Sequence, residues 1–189
     1  MASIVSVEQI KGLAAGSTPN TITVPAGQKV VGTDAGSIFA PESILQTVSS
    51  GAFTTSVGVT STSFISMGHT CSLTAKRSNS RFLVRLSGGG WYDNGNSSQS
   101  LFVTFYKSVN GGAYSNLANV DATHGLLRMS GDGNQWNIKN YSAEWLDPTT
   151  DSAGATITYA VYGRVNANSS QYSAGDRGTP VLIVQEIAQ

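Results

Sequence analysis

The sequence is poor in charge. Of its 189 residues 12% are charged, 11 basic and 11 acidic, for a formal net charge of zero, where soluble proteins carry roughly 25%. Solubility then rests on Ser, Thr, Asn and Gly, and a near-neutral surface does little to hold copies apart, which suits an assembly. Neither sign gathers into a long block, so nucleic acid is not an expected partner. Cys71 is the single cysteine, which excludes an intramolecular disulfide and a fold that depends on an oxidising compartment. In a strand-like setting it reads as a small buried hydrophobe. No run approaches the roughly 20 apolar residues of a membrane helix. The first residues, Met1 to Glu8, lack a basic n-region and a long apolar run, so neither a membrane partner nor a signal peptide is expected.

Helical periodicity is almost as scarce. Ser3 to Leu13 is the one candidate, with Ile4, Val7, Ile10 and Leu13 lining a single face; a strand through Ile4, Val5 and Val7 competes, because β-branched residues favour it. From Gly16 to Pro41 the chain is broken by Pro19, Pro25-Ala26-Gly27, Gly32, Gly36 and Pro41, too often for sandwich strands. Ile22 and Val24, then Val30 and Val31, are its apolar anchors. Such a segment buries too little surface to offset its ordering entropy. Residues 1–40 are therefore expected to be held by sister subunits or another protein, with one domain over residues 41–189.

What is abundant is alternation. In Arg81 to Leu86 a period of two sets Phe82, Val84 and Leu86 on one face and the two arginines on the other, a strand with a wet or interfacial side. Gly88-Gly89-Gly90 is expected to end it. Further strands are predicted over Ser43 to Val48, Thr62 to Met67, Thr70 to Ala75, Leu101 to Val109, Ala113 to Val120, Leu126 to Met129, Trp136 to Trp145, Thr156 to Val165 and Val181 to Ile187. Asn110-Gly111-Gly112 supplies the positive-φ residues of a tight hairpin. About eight to ten short strands without βαβ alternation indicate an all-β, antiparallel sandwich, jelly-roll-like in type. Three strands are apolar on both faces. Phe102 and Tyr106 lie opposite Leu101, Val103 and Phe105; Ala160 and Tyr162 lie opposite Ile157, Tyr159, Val161 and Val165; and Leu182 and Val184 sit in a run with no polar side. A second apolar face must be covered, either by a long loop of the same chain or by sister subunits. On the second reading Phe102, Tyr106, Ala160, Tyr162, Leu182 and Val184 are the subunit-contact candidates, while Ile4, Val7, Ile10, Leu13, Ile22 and Val24 are the candidates by which residues 1–40 would be held.

The order of these pieces resembles a known family. Ser43-Ile44-Leu45-Gln46-Thr47-Val48, a Ser/Thr passage into Ser63-Phe64-Ile65, then Ser72-Leu73-Thr74-Ala75-Lys76-Arg77-Ser78-Asn79-Ser80-Arg81-Phe82-Leu83-Val84 and the closing Leu182-Ile183-Val184-Gln185-Glu186-Ile187 resemble a β-sandwich domain of tailed-bacteriophage virion proteins. Ala75 stands where that family commonly has Pro, and Arg81-Phe82 where it has Lys-Ile. The resemblance, over residues 43–187, implies a trimeric structural protein of the virion, assembled in the host bacterial cytoplasm, without cofactor. It implies either a capsid decoration (cement or knob) protein held on the major capsid protein by an attachment arm, residues 1–40, or a tail fibre tip that contacts a host glycan. The short extended portion favours decoration, since a fibre needs a long shaft.

Residue patterns for catalysis are thin. His69 and Cys71 share a strand face, but His124 is the only other histidine, and two ligands do not make a zinc site; nor does anything mark the third group of a Cys-His hydrolase. Glu144 and Asp147 have the composition of a glycosidase pair and the setting of a strand end. Asp93 to Asn96 and Asp132 to Asn134 are oxygen-rich turns without calcium-loop spacing. Trp91, Tyr92 and Trp136, if gathered at one end of the sandwich, would offer flat faces to a sugar ring or else cap the core or the trimer axis. No metal site and no enzymatic activity are expected.

Overall fold

In the computed structural model the chain divides into two units, Met1–Ile38 and Phe39–Gln189. The structure describes residue 26 and residues 40–93, 100–117, 125–130, 138–149, 151–167, 170–172 and 178–189. The stretch Ser3 to Leu13, read as helix or strand, and the turn-rich stretch that follows it as far as residue 39 thus lie outside the described residues, Ala26 apart. All that follows concerns the second unit.

Eleven strands form two antiparallel sheets among the described residues, without a helix. They are β1 (Ile44–Ala52), β2 (Gly58–Val59), β3 (Ile65–Thr74), β4 (Arg81–Asp93), β5 (Ser100–Val109), β6 (Ser115–Asn116), β7 (Leu127–Ser130), β8 (Ile138–Asp147), β9 (Thr156–Val165), β10 (Ser170–Gln171) and β11 (Val181–Ile187). The first sheet runs β1-β11-β4-β8, with β10 and β2 continuing beside the far end of β4; the second runs β3-β9-β5, with β7 and β6 along the outer edge of β5. The all-β antiparallel sandwich expected from the alternation is therefore present.

The opening strand shows why. Phe82, Val84 and Leu86 point inward and are fully buried, while Arg81 and Arg85 point outward and are exposed. Facing them across the core are Leu101, Val103 and Phe105 of β5 and Ile157, Tyr159 and Val161 of β9, also fully buried. The Phe82 and Tyr159 rings lie 6.2 Å apart. Burying side chains of this size contributes about 1.5–3 kcal/mol each, and it is this intersheet layer that fixes the register of every strand.

Two local expectations are corrected. Gly88-Gly89-Gly90 does not end β4: the strand continues to Asp93 through a bulge, where Gly88 and Gly89 together oppose Tyr141 of β8. Gly89 has φ +101, and a Cβ there would stand 2.8 Å from the Tyr141 hydroxyl and 3.1 Å from Pro180. The glycines serve close packing beneath a tyrosine, and the bulge absorbs the extra residue. Likewise the two short strands expected around Gly68 are a single β3 with an irregularity between Ser66 and Thr70. The hairpin after β5 is as predicted, with φ 51 at Asn110 and 73 at Gly111, but within Ala113 to Val120 only Ser115–Asn116 pairs with β5, and residues 118–120 lie outside the described residues. β2 and β10, two residues each, carried no legible sequence pattern.

Candidate functional site

The second apolar face of β5 and β9 forms the outer surface of the second sheet. Alternation sends Phe102, Thr104 and Tyr106 of β5 and Ala160, Tyr162 and Arg164 of β9 to that side, and the register sets Phe102 opposite Arg164, Thr104 opposite Tyr162 and Tyr106 opposite Ala160. Tyr106 and Tyr162 stack with ring centroids 3.8 Å apart and planes 16° from parallel. Tyr114 leans on Tyr162 at 6.0 Å and Phe64 on Tyr106 at 6.5 Å. The Arg164 guanidinium lies 4.5 Å above the Phe102 ring, and Arg128 covers the same ring at 5.7 Å. These are offset aromatic and cation–π geometries that hold flat side chains in place at a surface. Gly125 lies close against β5: at φ +68, a Cβ there would meet the Val103 carbonyl at 2.8 Å and Phe64 at 3.0 Å, so only a glycine fits at this position.

The structure sorts the six contact candidates into three pairs. Leu182 and Val184 are corrected: both are fully buried on the inner face of β11, within the intersheet core, and cannot meet another subunit. Phe102 and Ala160 are on the outer face but 3% and 1% exposed, covered within one chain, Phe102 by its two arginines. Tyr106 and Tyr162 are half-buried, with Tyr114 exposed beside them. Burial and the neighbouring Tyr114 and Tyr106 hydroxyls raise the Tyr162 phenol above its ordinary pKa, so it is a neutral hydrogen-bonding tip. The arm candidates Ile4, Val7, Ile10, Leu13, Ile22 and Val24 lie outside the described residues.

Three polar clusters are buried. His69 of β3, 1% exposed, stacks on Phe53 at 4.5 Å and contacts Ser50 Oγ through Nε2 and the Tyr172 hydroxyl through Nδ1, both at 2.8 Å. Ser50 Oγ donates to the Gly51 carbonyl and accepts from Leu182 N–H. Its one hydrogen is thus used, which assigns the imidazole hydrogen to Nε2 and makes Nδ1 an acceptor from Tyr172. Burial lowers the His69 pKa to about 4, and burial raises that of Cys71. Ser50 is an acceptor toward His69, the reverse of an activated nucleophile. Glu186 of β11, fully buried, accepts from the backbone N–H of Lys76 and Arg77 and from Gln46 Nε2, and so ties the β3–β4 turn to the sheet. The third cluster joins Lys107 to Asp147 and Asp151. The Glu144 and Asp147 pair does not converge. Glu144 points outward to Arg85, 2.7 Å away, and Asp147 points into the core, fully buried.

An open cleft of about 460 Å³ lies beside the β4 bulge, lined by Gly88, Gly89, Asn140, Tyr141, Ser142, Gly178 and Thr179. Tyr141 is buried there, its hydroxyl donating to the Tyr172 carbonyl at 2.8 Å. Trp91 and Tyr92 follow on β4; their side chains and Trp136 lie outside the described residues. No cluster of three or more His, Cys, Asp or Glu suited to a metal occurs among the described residues. None of the sequence signals pointed to Phe64, Tyr114, Arg128 or Arg164 as cover for the outer face, because each sits on a different segment.

No protein-family profile and no curated protein matches the chain. Among solved structures it is similar to the Eiger TNF of S. frugiperda, at 11% identity and a TM-score of 0.35, over 74% of this chain and 90% of that one. It is also similar to the exo-beta-1,3-galactanase of Phanerochaete chrysosporium, at 10% identity and a TM-score of 0.24, over 75% of this chain and 29% of that one.

Proposed function

We propose that the chain is a virion structural protein of a tailed bacteriophage: a homotrimeric capsid decoration protein with a jelly-roll-like knob, attached through residues 1–40 to the major capsid protein and without catalytic activity. The observation that carries the assembly is the Tyr106–Tyr162 stack, left half open on the outer sheet beside the exposed Tyr114. Large aromatic side chains at a surface, rigid and two-sided in polarity, are typical interface anchors. Closed threefold symmetry would hide three copies of the stack at once. The virion setting rests on the resemblance of residues 43–187 to phage sandwich domains.

Light scattering on the purified protein tests the assembly: three chains of 19.7 kDa give about 59 kDa, and a monomer refutes it. Removing residues 1–40 tests the setting. Loss of incorporation into particles with lowered capsid heat resistance is the decoration outcome. The alternative is a tail fibre tip that binds host glycan, favoured by the open polar cleft at the β4 bulge; loss of host adsorption with unchanged capsids is its outcome.

A further inference from the structure

Alternation along β5 places Lys107 on the same side as Leu101, Val103 and Phe105, so a lysine continues a row of core residues. Its side chain is 6% exposed, and its ammonium lies between the Phe82 and Tyr159 rings at 5.9 and 6.0 Å. Nζ meets Asp147 Oδ2 at 2.8 Å and both Asp151 Oδ2 and Thr149 Oγ1 at 2.5 Å. Two carboxylates and one cation leave a net negative charge in the core, a costly arrangement.

The two carboxylates differ. Asp147, fully buried, also accepts from Tyr159 Oη at 2.8 Å, from Thr149 N–H at 2.8 Å and from Thr149 Oγ1 at 2.6 Å. These donors fix the carboxyl group in place. Asp151 has the lysine as its side-chain partner among the described residues and is 10% exposed. The Lys107 nitrogen and the Asp151 carboxyl group are the two partners of an amide bond, held in contact with bulk water excluded.

We propose that Lys107 and Asp151 condense into an internal ε-amide (isopeptide) bond, with Asp147 as general base. One proton passes from Lys107 Nζ to Asp151 Oδ2 along their hydrogen bond, and the freed nitrogen lone pair adds to Asp151 Cγ, forming the N–C bond. Asp147 Oδ2 takes a proton from the nitrogen and returns it to the departing hydroxyl, so that the C–O bond breaks and one water leaves. No oxidant or co-reactant takes part, and Asp147 ends as the carboxylate it began as. Asp151, at the rim, gives that water its exit. The bond would clamp β5 to the β8–β9 connection across 44 residues of sequence, a covalent tie in a chain whose single cysteine rules out an internal disulfide. The inference is independent of the virion reading.

Intact-mass spectrometry of the denatured wild-type protein, after days at neutral pH and 37 °C, decides it. A chain lighter by one water is expected, with trypsin yielding a branched peptide that joins Lys107 to Asp151. An unchanged mass overturns the proposal, and so does a water loss that maps to a succinimide at Asp132-Gly133. A bond mapped to Asp147 overturns the assignment of roles. Asp147→Asn is expected to keep the unmodified mass in protein that retains its near-ultraviolet tyrosine dichroism; since the wild-type mass decides alone, failure of this variant to fold does not weaken the test.

Discussion

Lowering the pH from 8 to 5 is expected to weaken the fold through His69. In the folded chain the imidazole is 1% exposed and its pKa is lowered from 6.5 to about 4 by burial. Protonation would also break the acceptor role of Nδ1 toward the Tyr172 hydroxyl, 2.8 Å away. The unfolded chain therefore binds a proton as pH falls through 6.5, while the folded chain resists until about 4. Stability is fully present above the unfolded value and is lost as pH falls toward the folded one. A full separation of these two values is worth about 3 kcal/mol, of which about 2 kcal/mol is lost by pH 5. Urea unfolding followed by tyrosine and tryptophan fluorescence at pH 8, 7, 6 and 5 measures it. His69→Gln is expected to be less stable than wild type at pH 8 and to have a flatter pH profile. Equal slopes in wild type and His69→Gln would refute the assignment of the proton to this ring.

Other substitutions separate buried from exposed interactions. Glu186→Ala removes the acceptor for the Lys76 and Arg77 N–H groups and for Gln46, and is expected to lower unfolding free energy by about 3 kcal/mol in urea. Arg85→Ala breaks an ion pair whose side chains are 47% and 51% exposed, and should change it by less than about 1 kcal/mol; a larger loss would mean the outer face of the first sheet is covered in solution. Gly89→Ala, at positive φ and 2.8 Å from the Tyr141 hydroxyl, is expected to cost about 2–4 kcal/mol in a thermal melt. On the proposed trimer, Tyr106→Ser combined with Tyr162→Ser should shift the light-scattering mass from three chains to one while leaving the β-sheet circular dichroism in place; an unchanged mass of three chains would move the subunit contact elsewhere.

Where one face of a strand is apolar and the other polar, alternation alone determined the orientation: Phe82, Val84 and Leu86 inward, Arg81 and Arg85 outward. The bounds of β9 and β11 followed instead from the turn residues around them, because pairing ends where those begin. A strand apolar on both sides carries no such asymmetry. Hence Leu182 and Val184 were expected at a subunit contact and lie in the core, and only the packing of two sheets decides which side is inside. Composition read the glycine run as a stop; the Tyr141 ring laid across it makes it a bulge. The cover over Phe102 and the partners of Lys107 come from segments far apart in the chain, so their chemistry arises when the sheets close and water leaves, a condition that no local pattern encodes.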